Sequence, residues 1–176
     1  GFAERLIPTC TRALAETGAM PPVLFTAHSV PCRTIMTGEA STVGARPGTP
    51  MQATPDPYPV EAKRTAAPVF EYAARQLPDL QPSYFAFQSQ GASGGPGIGP
   101  TVESTLDSLA GNGAKTLILQ PIGFLCDHVE ILYDVDIAFR EYAAQLGIRL
   151  ERPESLNASV TLAKAVADLA KRGLAR

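Results

Sequence analysis

The chain has 176 residues, of which 45% are hydrophobic and 18% charged, with a formal net charge of −2. That is the length of one domain and a composition that excludes wholesale disorder. Lys and Arg are scattered along it, so it lacks the basic patch that nucleic-acid binding requires, and no apolar run approaches the roughly 18–20 residues of a membrane-spanning helix.

In chain order, Ala3–Thr17 reads as a helix with no strand ahead of it, as though left from a preceding βα unit. Residues 1–20 are therefore expected to be a remnant or linker, and residues 21–176 a single α/β domain. Val23–His28 is an apolar run with β-branched and aromatic residues and reads as a strand. A stretch rich in Gly, Pro, Ser and Thr follows over Thr37–Pro57, then a helix over Pro59–Gln76. Pro68 should kink or split that helix, because proline lacks the backbone donor and clashes with the preceding turn. Ser83–Gln88 is the second strand, QGASGGPGIGP over Gln90–Pro100 a second loop, and Thr101–Gly111 a helix. Lys115–Gln120, Asp127–Leu146, Ile148–Arg152 and Asn157–Lys171 complete the alternation as strand, helix, strand and helix. The predicted fold class is α/β, an open, mostly parallel four-stranded sheet with helices on both faces, Rossmann-like in character. Both long loops leave the carboxyl end of a strand, where open α/β sheets place their ligand crevice.

Three cysteines, Cys10, Cys32 and Cys126, are too far apart for a C-x-x-C pair. They offer neither a disulfide framework nor a zinc or cluster spacing, which makes the cytoplasm the expected compartment. The glycine loop matches neither nucleotide-binding fingerprint, and Ser29 and Ser89 lack the G-x-S-x-G elbow of serine hydrolases.

The two histidines, His28 and His128, both fall at strand-to-helix junctions. Carboxyl ends of parallel strands converge on one edge, so His28 and the Asp127–Glu130 segment can face each other across a crevice, and imidazole with carboxylate suits a divalent transition metal. Asp127 is a natural N-cap for the helix it opens. Glu130 and Asp134 stand four apart and share a helix face. Asp134 and Asp136 lie among Ile131, Leu132, Tyr133, Val135 and Ile137, a setting where a carboxylate is costly unless paired, protonated or lining a wet channel. His128 and Glu130, two apart, would diverge on a regular helix, so an irregular turn such as a π-bulge is predicted.

The segments FTAHSVP, FQSQ, GPTVESTL and GAKTLILQPIGFLCDHVEILYDVDI, with SLN at Ser155–Asn157 before the last helix, occur in an order and spacing that resemble the ferrochelatases. The resemblance runs from Pro22 through the last helix and corresponds to the family's carboxyl-terminal domain. It implies a porphyrin metal chelatase, a lyase of haem biosynthesis that inserts ferrous iron into protoporphyrin IX or coproporphyrin III. By resemblance, His28 and Glu130 face each other over the macrocycle as the catalytic, metal-handling pair, and His128 supports them. Asp134 and Asp136 would extend an acidic path, and Ser29, Gln88, Ser89, Phe124 and Tyr133 would line or buttress the porphyrin pocket. The implied partners are the porphyrin, ferrous iron as substrate, and an amino-terminal ferrochelatase domain or a second copy of the chain to complete the site. No permanently bound cofactor is expected. No cysteine group follows the last helix, so no iron–sulfur cluster is expected either. The chain departs from the family at Pro96–Pro100, where a P-W-[LI]-G-P pattern is replaced by PGIGP and Trp is absent, removing a large apolar contact. Two other readings remain open: a small dimeric chelatase for cobalt or nickel, and a non-catalytic porphyrin- or metal-binding module.

Overall fold

The computed structural model describes residues 1–30, 57–89 and 97–174. Its frame is a four-stranded sheet of β1 (Val23–His28), β2 (Tyr84–Gln88), β3 (Thr116–Pro121) and β4 (Arg149–Glu151), in the order β2-β1-β3-β4 with every pair parallel. β1 and β3 occupy the centre, and both read as near-continuous apolar runs, as strands covered on two faces must. Register aligns His28 with Gln88 and Thr26 with Pro121, so the ends of the three adjacent strands come out at one edge.

Alternation along the strands sends side chains to two cores. Leu24, Leu117 and Leu119 meet α3 (Val102–Gly111) and the helical segment after β3, through Leu106, Leu109, Ile131, Val135 and Phe139. Val23, Phe25 and Ile118 meet α1 (Phe2–Thr17) and α2 (Tyr58–Ala74), through Leu6, Cys10, Ala66 and Ala73. Each fully buried Leu, Ile or Phe contributes roughly 1.5–3 kcal/mol, so the two layers hold the sheet from both sides. α1 ends where Gly18 takes φ 73° and donates to the Leu14 carbonyl at 2.8 Å. α3 begins where the Thr101 hydroxyl accepts from the Ser104 N–H at 3.1 Å.

Strand positions agree with the sequence reading to within a residue or two at each end. Pro68 does not split α2. The helix runs unbroken through it, and the Arg64 carbonyl that Pro68 cannot serve belongs to an exposed residue open to water. The long helix expected over Asp127–Leu146 is instead three pieces: α4 (Val129–Leu132), a π-helical segment (Asp134–Phe139) and α5 (Arg140–Gln145). A physical cause is visible in its spacing. Ile131, Val135, Phe139 and Ala143 are all buried and recur every four residues. An ordinary helix advances such a stripe by about 40° per step. One wide π turn takes up that drift and keeps all four against the sheet. The last helix, α6, is Val160–Leu174, with none of its residues buried. Cys32, nearly all of the Thr37–Pro57 stretch and residues 90–96 of the glycine loop lie outside the described residues. No helix among the described residues is long and apolar enough to cross a membrane.

Candidate active site

The carboxyl edge of the sheet gathers most of the residues singled out in the sequence. His28 is the last residue of β1, and the Tyr58 hydroxyl donates to its carbonyl oxygen at 2.9 Å. Across from it, after β3, the chain passes through Gly123 directly over the end of β1. A Cβ at Gly123 would lie 3.1 Å from the Ala27 Cα and 3.4 Å from the His28 nitrogen, so any side chain there would have to push the end of β1 aside by a few tenths of an ångström. The turn that follows brings Phe124 edge-on to both imidazoles, with ring centroids 6.2 Å from His28 and 4.3 Å from His128.

His128, not Asp127, is the N-cap of α4: its Nδ1 accepts from the Glu130 N–H at 3.3 Å. Accepting at Nδ1 places the ring proton on Nε2, which is buried without a bonded partner among the described residues. The tight cap also settles how two residues that diverge on a regular helix serve one site. His128 turns back to hold the backbone, while Glu130 projects its carboxylate to within 3.3 Å of the His28 Nδ1. The expected irregular turn is present, but it falls four residues later.

The His28–Glu130 approach does not have the angle of a hydrogen bond, and the Nδ1 atom has no bonded partner among the described residues. Two donor atoms of metal-ligand type thus stand side by side without being used up by each other. The two side chains are 36% and 38% exposed as wholes, while the His28 Nδ1 atom itself is buried against its neighbours. Among the described residues no three of His, Cys, Asp and Glu converge into a closed metal site.

Beneath Glu130 lies a buried polar strut. The Thr26 hydroxyl donates to the Gln88 Oε1 at 2.7 Å, and the Gln88 Nε2 donates to the Glu130 carbonyl at 3.2 Å. Gln88 is 1% exposed, so it supports the backbone of Glu130 from inside rather than lining a pocket. Ser29 is likewise buried. Its N–H donates to the Gln88 carbonyl at 2.7 Å and its hydroxyl to the Ile98 carbonyl at 3.2 Å. Ser89, with a left-handed φ of 58°, donates its hydroxyl to the Asp134 carboxylate. Tyr133 is largely exposed beside this segment, as are Val129 and Leu132.

Asp136 does not extend a path from Asp134. Two residues apart on a helical turn, they point to opposite sides: Asp134 to Ser89 at the end of β2, Asp136 to Arg152 at the end of β4. Asp127 joins the second group. Its carboxylate accepts from Ser155 at 2.6 Å, from Asn157 at 3.0 Å and from Arg152 at 3.2 Å. These bonds, with that from Ser155 foremost, hold its carboxyl below the usual value. Arg152, whose guanidinium is raised above its ordinary value chiefly by the bond to Asp136, was not anticipated as a site residue. In the charged run Arg149-Leu150-Glu151-Arg152 nothing local singled it out. Tyr58 and Thr26 gave no signal.

The class the structure defines is an α/β protein whose parallel four-stranded sheet brings an imidazole and a carboxylate together at its carboxyl edge. The family model "Ferrochelatase" matches residues 1–174, and the chain belongs to the ferrochelatase family. A ferrochelatase of Acidobacterium capsulatum is 54% identical over 176 residues, covering 99% of this chain and 52% of that protein. One from Herpetosiphon aurantiacus is 38% identical over 89% of this chain and 44% of its own. The human mitochondrial ferrochelatase is 30% identical over 96% of this chain and 35% of its own. The chain thus spans about half the length, or less, of these relatives.

Proposed function

We propose that this chain forms one wall of a site that inserts ferrous iron into a porphyrin, protoporphyrin IX or coproporphyrin III, with His28 and Glu130 handling metal and protons. The observation that carries the reading is the 3.3 Å approach of the His28 Nδ1 to the Glu130 Oε2 at an accessible sheet edge, in a chain of the ferrochelatase family. In the reaction, a free-base porphyrin loses two pyrrole protons and binds Fe²⁺ through its four nitrogens. Two protons therefore need acceptors as the ion arrives. A neutral imidazole and a carboxylate, held side by side, can take one each or pass the ion to the ring. His128 and Gln88 keep Glu130 in place from its backbone, and Asp134, one turn further along, adds negative charge on the β2 side. Phe124, Val129 and Tyr133 offer apolar and aromatic surface beside the pair for the face of a macrocycle.

The opposing wall is proposed to come from a second α/β half, as an amino-terminal ferrochelatase domain or a second copy of this chain. The length of the relatives supports the former. A cytoplasmic location is part of the proposal, supported by the free thiols of Cys10 and Cys126. The test is anaerobic Fe²⁺ insertion followed by porphyrin absorbance, with the chain alone at several concentrations and with an amino-terminal half added. His28→Ala and Glu130→Gln should each abolish insertion. Both side chains are more than a third exposed, so melting should change little, within about 0.5 kcal/mol. Insertion that persists in either variant refutes the assignment. Porphyrin binding without turnover, even with the second half present, would identify a non-catalytic module instead.

A further inference from the structure

Arg152 follows β4, and its side chain is 10% exposed. Its Nε and Nη2 donate side by side to the two carboxylate oxygens of Asp136, at 2.8 and 2.7 Å. Its Nη1 donates to the Asp127 Oδ1 at 3.2 Å, the Ser155 Oγ at 3.3 Å and the Pro153 carbonyl at 3.3 Å. One guanidinium therefore holds two carboxylates that stand nine residues apart in the chain and bracket His128, Glu130 and Asp134. An exposed ion pair would constrain little, but a planar fork shielded from water fixes both distance and angle.

Burial of Ile131 and Val135 seats the segment on the core, but the turn between Asp127 and Glu130 has little of its own to fix it. α4 has four residues, and its own backbone bonds are few: Ile131 and Leu132 to the His128 carbonyl, and Tyr133 to that of Val129. A single turn is unstable without outside anchors. On the β2 side the anchors are Ser89 to Asp134 and Gln88 to the Glu130 carbonyl. On the β4 side they are Arg152, Ser155 and Asn157, and the exposed Arg140 adds a looser contact to Asp136 at 3.6 Å.

We propose that Arg152 is a positioning residue: by fastening Asp127 and Asp136 to the end of β4, it sets the turn on which His128 caps α4 and Glu130 meets His28. Each of its three nitrogens donates inside the protein and the side chain is 10% exposed, so it acts through this turn and not on substrate. The kinetic consequence rests on the function proposed above; the geometric one does not.

The chain has two histidines, so ring ¹⁵N spectra resolve each of them. In the unaltered chain His128 should show a single tautomer with the proton on Nε2. Arg152→Met should give mixed His128 tautomers and altered His28 ring shifts. It should also lower kcat for metallation about 10–100-fold, while KM for the porphyrin stays within about twofold. Arg152→Lys should recover part of both effects, because an ammonium can reach one carboxylate but cannot fork to two. Asp136→Asn should move both readouts in the same direction by less, and it decides the matter if Arg152→Met does not fold. A folded variant with the original His128 tautomer and ring shifts overturns the proposal, as does an unchanged kcat where the unaltered protein is active. If the unaltered protein inserts no metal, the functional reading fails, while the ring spectra still judge the clamp.

Discussion

Removing the buried strut under Glu130 should cost less when both of its ends are removed together than the single changes would suggest. Gln88→Met keeps the length of the side chain but deletes the acceptor of the Thr26 hydroxyl and the donor to the Glu130 carbonyl. Thr26 is fully buried, and a buried polar group left unpaired costs about 1–3 kcal/mol. The Glu130 carbonyl, in a half-buried residue, falls at the low end, so the single change should cost roughly 2–4 kcal/mol. Thr26→Val strands the Gln88 Oε1 and should cost about 1–3 kcal/mol. In the double variant the mutual debt disappears. Only the Glu130 carbonyl is left short, for about 1–2 kcal/mol, against roughly 3–7 kcal/mol if the two losses simply added. Urea unfolding of the four proteins measures this directly. With slopes of about 1–3 kcal/mol per molar, each single change should lower the midpoint by roughly 1–2 M, and the double variant should sit at or above the weaker single. Additivity within about 0.5 kcal/mol would show that the two side chains do not depend on each other, and would refute the strut.

Gly123→Ala should destabilise the fold by about 1–3 kcal/mol, read as a fall of several degrees in the melting temperature, because the new Cβ meets the Ala27 backbone at 3.1 Å rather than a flexible side chain; an unchanged melting point would mean that the loop is free to lift. Acid should weaken the chain below about pH 4. Asp127 is held below its ordinary value of 3.8 by Ser155, Asn157 and Arg152, so its contribution is complete above that pH and is lost as pH falls through the lower folded value. Glu151 acts in the same direction, its burial outweighed by the bonds from Arg12 and Arg149. Asp127→Asn should therefore flatten the acid limb of stability against pH, and an unaltered limb would count against this account. Iodoacetamide at neutral pH should label Cys126, which is exposed, and spare Cys10, whose thiol is pushed up to about 11 by burial and by Glu151. Peptide mapping reads the two separately, and equal labelling would show that α1 opens readily.

The sheet was legible in the sequence because β1 and β3 are buried on both faces and so are largely apolar, and the run at β2 follows the same pattern. The helix after β3 was harder to read, and for a definable reason. Its buried positions recur every four residues, a period that an ordinary helix approximates over one turn and loses over three. The apolar stripe was visible, but the winding that serves it depends on the sheet below. Candidate ligands were legible by their position at strand ends, which is why His28 and Glu130 do meet. Ser29 and Gln88 stand at the same ends but face inward. Orientation there is set by packing against Ile98 and Thr26, contacts that no local pattern announces.

The acidic pair shows most plainly what a residue type can and cannot say. Asp134 and Asp136 carry the same group two positions apart, in the same apolar surroundings, and on composition alone deserve the same role. Burial makes each of them seek a partner, and the helix turn sends them to opposite flanks of the segment. On the β2 side the partner is a serine hydroxyl, which brings no positive charge to Asp134. On the β4 side it is a guanidinium, which neutralises Asp136 and turns it into an anchor. The different settings of the two carboxylates therefore follow from Ser89 and Arg152, residues 63 positions apart in the chain, and from the strand order that puts their two strands at opposite edges of the sheet.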